Sequence, residues 1–134
     1  MLAYMPAHRH LGYRSAEVDD YWIAGADGEL RVARCRPCGG WLQPPRPRCP
    51  RGRGRDLGRE PVSGRGTVWS YTVSRYGWAG LEPPYVVAEV ELDEQPGLRV
   101  LTTVVDCDDV RIGMPVSVGF DERGEVWAPV FREA

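Results

Sequence analysis

The run Cys35–Asp56, CRPCGGWLQPPRPRCPRGRGRD, constrains this chain more than any other stretch. Five prolines and four glycines in 22 residues exclude a helix and any long regular strand there. A segment that cannot build its own ladder of backbone hydrogen bonds must be ordered by something else, and its cysteines show what that could be. Cys35 and Cys38 form Cys-x-x-Cys followed by two glycines. That is the form of a zinc knuckle, in which the chain turns back and its N–H groups point at sulfur. Cys49 opens a second such motif, but Gly52 stands where the fourth thiolate would be.

Three arrangements are open for Cys35, Cys38 and Cys49. They hold zinc with an outside fourth ligand such as His8, His10 or water. They hold no metal tightly, and the loop persists by packing. Or Cys107, 58 residues beyond Cys49, completes the set. Structural zinc takes a closed set of four ligands, so the missing thiolate tips the reading toward a degenerate ribbon, with zinc a candidate set against that gap. Cys107 closes an alternating segment and reads as a small buried cysteine. A thioredoxin-type redox motif is excluded, because the residues after Cys38, GGWLQPPRP, cannot start a helix.

Charge is concentrated in the same region. All 17 basic residues are Arg. From Arg31 to Arg65 ten Arg face two acids, Asp56 and Glu60, a local balance of +8 on a remainder of −10. Arg46, Arg48, Arg51, Arg53 and Arg55 are candidate phosphate ligands, since a guanidinium donates two parallel hydrogen bonds to such an anion. The competing reading is a solvated loop whose charges offset acids on the rest of the chain. No run approaches a membrane-spanning length, and the start MLAYMPAHRH lacks a cationic segment followed by an apolar one. A cytoplasmic setting with reduced thiols is expected.

Around this island the pattern is mainly β. Residues 1–14 show no periodicity. Ser15 can cap a short helix with acids in its first turn, ended by Gly25 or Gly28, and Tyr21 and Trp22 give it an apolar face. ELRVARC alternates as a strand into the first cysteine pair. Period-two segments follow at 66–76, 84–94 and 98–108, then VSVGFDE and EVWAPVFREA, with turns at EQPG and ERGE. In 66–76, Val68, Ser70, Thr72 and Ser74 fall on one face. DDVRIGMP breaks the series after the third segment, with Asp108 placed to cap a helical turn. Five antiparallel strands with a connector after the third is the order of a five-stranded OB-fold barrel. The expected organisation is therefore an arm and short helix (1–29), a rubredoxin-like ribbon module (30–62) and the barrel (63–134).

No Ser/His/Asp set and no glycine-rich phosphate loop emerge, so the chain is not expected to catalyse alone. Tyr21, Trp22 and Trp78 are read as partner contacts, the last on the long loop RYGWAGLEPPY. The alternative is a module for single-stranded nucleic acid, stacking bases on Trp69, Tyr71, Tyr76, Trp78 and Tyr85. Acids along the barrel strands oppose it.

The motifs RCRPCG, PPRPRCP, SGRGTVWSYTV and DDVRIGMPV, in that order, resemble the OB-fold/zinc-ribbon family filed as domain of unknown function thirty-five. The resemblance spans about residues 17–132, departing at Gly52, where the family has a fourth cysteine. It implies an accessory subunit that docks on a thiolase-like partner, such as a lipid-transfer-protein-type aldolase of steroid side-chain breakdown or an acyltransferase. It also implies acyl-coenzyme A (acyl-CoA) as a ligand shared with that partner.

Overall fold

Alternating sequence becomes two sheets in the computed structural model, which describes residues 21–52, 54–77, 82–124 and 126–134. The expected arm, Ser15 and both histidines lie outside those residues. The described chain begins in helical turns at 21–23, tightens to a 3-10 turn at Ala24–Asp27 and stops at Gly28. Gly28 adopts φ 74°, a left-handed stop that glycine takes without strain. Gly25 serves differently: a Cβ there would lie 2.5 Å from that of Trp127 and 2.6 Å from the Phe120 ring. Only glycine lets this turn sit directly on the barrel.

Strands β1 (Leu30–Cys35), β2 (Trp41–Leu42) and β3 (Leu57–Val62) form a sheet in the order β2-β1-β3. β3, LGREPV, has no apolar alternation and contains Pro61, so the sequence pattern does not announce it. It is an edge strand, where a missing N–H is tolerated, and it pairs with the whole of β1 from Leu30↔Val62 to Cys35↔Leu57.

The second sheet comprises β4 (Arg65–Ser74), β5 (Tyr85–Leu92), β6 (Arg99–Val104), β7 (Pro115–Arg123) and β8 (Val126–Glu133). It closes as a barrel in the order β4-β5-β6-β8-β7. That is the five-stranded OB arrangement the strand count implied. One departure from the expected all-antiparallel pattern is the parallel contact of β6 with β8 at Val104↔Phe131. Nearby, the buried Thr102 hydroxyl donates to the Pro129 carbonyl at 2.9 Å, bridging these strands beside a residue that has no N–H to offer. The connector after β6 is a turn, not helix, so Asp108 caps nothing.

The two sheets share one core. Leu30, Val32 and Trp41 from the ribbon belong to the same buried cluster as Val68, Leu92, Met114 and Phe131 from the barrel. The free edge of β2 is closed by a side chain of the EQPG turn. Gln95 Oε1 accepts from the Trp41 N–H at 3.0 Å, and its Nε2 donates to the Trp41 carbonyl at 3.2 Å. An amide thereby substitutes for a neighbouring strand. Gln95→Ala leaves both half-buried backbone groups without that partner and should destabilise the protein by about 1–3 kcal/mol. Denaturant unfolding measures this, and an unchanged midpoint would show the seam to be held by apolar contact alone.

Candidate functional site

The cysteine loop folds as two equivalent knuckles. In the first, the Cys35 N–H donates to the Gly40 carbonyl at 2.8 Å, five residues on. In the second, Cys49 and Gly54 repeat the relation at 2.9 Å. Gly39, at φ 74°, makes the first turn back, and the Gly40 N–H points at Cys38 Sγ from 3.4 Å. The sulfurs of Cys35, Cys38 and Cys49 lie within 4.8 Å of one another, with Cys38 and Cys49 3.6 Å apart. Four sulfurs at about 2.3 Å from a tetrahedral zinc stand about 3.8 Å apart, so this trio fits three corners of such a site. Zinc bound there would be held by these three thiolates and would order a loop that lacks regular structure. Cys107 is elsewhere, at the barrel mouth with Met114 Sδ and Glu133 each 4.0 Å from its sulfur.

Environment separates the thiols. Cys35 and Cys49 are buried and Cys38 is exposed. The Gly40 N–H, then the Cys35 and Cys49 sulfurs and Arg51, stabilise the Cys38 thiolate and bring its pKa from 9.0 to about 7. For Cys35 the Cys38 N–H lowers the pKa, but desolvation and the neighbouring sulfurs outweigh it and the thiol is raised.

The arginines divide by partner. Arg34 and Arg36 pair with the two acids of the basic island, Glu60 at 3.0 Å and Asp56 at 2.6 Å. Arg34 also stacks on Trp41, 4.6 Å from the ring centre. Arg51 lies across Gly40 and donates to the Trp41 carbonyl at 3.3 Å, so it is committed to the knuckle. Arg46, Arg48 and Arg55 are exposed, and their side chains make no ion pair or hydrogen bond among the described residues. Arg53 lies outside those residues.

Tyr21 is a core residue. It is buried in the shared cluster, which raises its phenol pKa, and Trp22 packs edge-on against it at 4.8 Å. Tyr21 was expected to contact a partner; it is buried here, and the exposed apolar side chain on this segment is Ile23. Trp78 lies outside the described residues.

An irregularity in β4 creates a feature that the alternation hides. Val68 pairs with Val90, but Ser70 pairs with Glu89, so Trp69 is an extra, bulged residue. The bulge reverses the phase. Tyr71 and Val73, opposite Ala88 and Val86, join Val68 on the inner face, and the single face expected for Val68, Ser70, Thr72 and Ser74 is broken. Here the hairpin has outrun the closed barrel. Tyr71 and Val73 remain 39% and 38% exposed and border a cleft of about 300 Å³ with Val86 and Val110. Trp69 points elsewhere, its ring covered by Arg99 at 4.4 Å.

A three-stranded ribbon with clustered thiols, merged into a five-stranded OB barrel, defines a zinc-ribbon/OB-fold protein. Residues 22–58 match the rubredoxin-like zinc-ribbon domain of ChsH2, and residues 59–121 match the ChsH2 C-terminal OB-fold domain. A solved chain of the Ltp2–ChsH2(DUF35) aldolase superposes with a TM-score of 0.81 at 35% identity, over 90% of this chain and 96% of that one. The chain belongs to the ChsH2-type DUF35 family. It is 38% identical over 119 residues to a probable enoyl-CoA hydratase alpha subunit of Thermomonospora curvata, aligning 85% of this chain with 37% of that protein. It is 39% identical over 92 residues to a DUF35 domain-containing scaffold protein of Methanocaldococcus jannaschii, aligning 65% of this chain with 64% of that protein. The chain thus spans just over a third of the first relative and less than two thirds of the second.

A thiol whose folded pKa lies below its unfolded value favours the fold in its thiolate form. For Cys38 that contribution is complete above the unfolded value of 9.0 and is lost as pH falls through about 7. In metal-free protein, alkylation of Cys38 by iodoacetamide should therefore be half-maximal near pH 7. A midpoint at an ordinary thiol value in the folded protein would show that these contacts leave the Cys38 thiolate unstabilised.

Proposed function

We infer that the chain is a non-catalytic accessory subunit that docks on a thiolase-superfamily protein, such as a steroid side-chain retro-aldolase, and supports binding of an acyl-CoA thioester. The observation that carries this reading is the uncovered end of the β4–β5 hairpin. Tyr71 and Val73 stand on what should be an interior face, and Tyr76 just beyond is 84% exposed. A two-stranded end with apolar groups in water is marginal by itself, and covering it with a second protein removes that cost. Likeness to a chain of an aldolase and to archaeal scaffold proteins supports the same reading. Arg46, Arg48 and Arg55, whose side chains form no ion pair among the described residues, are suited to the 3′-phosphate and diphosphate of coenzyme A. Bond breaking is left to the partner.

Co-expression with thiolase-like proteins of the same organism tests the proposal. The pair should co-purify, and turnover of the acyl-CoA should require both. The reading fails if the partner alone is equally active. Tyr71→Asp with Val73→Asp should weaken the complex at least tenfold, well beyond the loss of thermal stability of the isolated chain, because both side chains are only partly covered at 39% and 38% exposure. Replacing Arg46, Arg48 and Arg55 together by Ala should raise KM for acyl-CoA by about tenfold, the equivalent of ~1.4 kcal/mol. KM for the corresponding pantetheine thioester, which lacks the nucleotide phosphates, should not move. Equal effects on both would assign these arginines to protein contact.

A further inference from the structure

The knuckle equivalence places one residue in a telling position. Cys35 matches Cys49 and Gly40 matches Gly54 through the same five-residue hydrogen bond. Gly52 is therefore the counterpart of Cys38, three residues after the leading cysteine. Nothing lies within 4 Å of where its Cβ would be, and its backbone is not in the left-handed region that bars a side chain. Among the described residues no His, Asp, Glu or further Cys joins the three sulfurs. No side chain among the described residues takes the fourth corner. It opens onto solvent, and both Gly52 and Cys38 are exposed.

We propose that this ribbon is a three-thiolate metal site whose fourth coordination position is open and takes an exchangeable soft anion, a small thiolate before others. Charge supports this. A divalent ion with three thiolates carries one net negative charge, and Arg51, held over Gly40, offsets it. An incoming anion then meets a neutral site instead of a repelling one. Soft thiolates match the preference of zinc in sulfur-rich surroundings. A closed four-cysteine ribbon has only a structural role, whereas this one presents an addressable ligand position on its surface.

Cobalt(II) is the probe, because its visible ligand-field bands report the fourth ligand directly. The wild-type chain should take up one Co²⁺ with tetrahedral bands, and titration with 2-mercaptoethanol should shift those bands saturably. Gly52→Cys should give bands that the thiol leaves unchanged, and should hold zinc at least tenfold more tightly in competition with a chelator. Cys38→Ser should lose about a third of the thiolate-to-cobalt charge-transfer intensity if it still binds. The proposal is overturned if the wild type binds no Co²⁺ where Gly52→Cys does, since the ribbon would then be metal-free. It is equally overturned if wild-type bands ignore added thiol, since another group of the chain would then occupy the corner. The wild-type titration decides the matter even where a variant fails to fold, and none of these readouts depends on a partner or on turnover.

Discussion

The contact on which the rest of the structure depends is the burial of Trp41 between ribbon and barrel. A three-stranded sheet with a two-residue edge strand has too little apolar area to stand alone. By placing Leu30, Val32 and Trp41 in the barrel's own cluster, the chain gives the ribbon a core it could not build. The polar edges of Trp41 are then met in three ways: Gln95 at its N–H and carbonyl, Arg51 at the carbonyl, and Arg34 over the ring. Position of the cysteine loop follows from this anchor. Arg51, which reaches the Trp41 carbonyl, is the same arginine that flanks the thiols, so the orientation of the site is set from the interface.

At the opposite end a different compromise operates. A closed barrel of five strands fills its interior with side chains and leaves no edge. The β4–β5 hairpin exceeds the length that closure can cover, and the bulge at Trp69 turns Tyr71 and Val73 toward an interior that is no longer there. A bulge re-aims side chains at a cost in regular pairing, and such devices collect beside functional surfaces. The inner-face cleft, apolar at Tyr71, Val73 and Val86 with Asp108 and Asp109 along its rim, and the arginine-rich loop are thus separate surfaces.

The barrel was readable because burial on one side of a strand imposes period two, and β5, β6, β7 and β8 fall within a few residues of the expected segments. Glycine and proline marked the cysteine loop as irregular for an equally local reason. What escaped was everything without a local signature. β3 is a strand only because β1 lies beside it, and Pro61 argued against it. Tyr21 looked like a docking residue on an amphipathic helix, since periodicity reports that a face is apolar and not what covers it. The bulge at Trp69 shifts register without altering composition, so strict alternation groups Val68 with Ser70, Thr72 and Ser74 instead of with Tyr71 and Val73.

By itself the sequence determined residue chemistry and local periodicity: an OB-type strand count, three thiols at knuckle spacing, a glycine at the fourth place, and a basic island. Tertiary structure alone decided which arginines are paired and which are free, because ion pairing depends on neighbours distant in sequence, as Arg34 with Glu60 shows. It alone decided that Gly52 faces open space, since a gap in a ligand set is visible in one dimension but the room around it exists only in three.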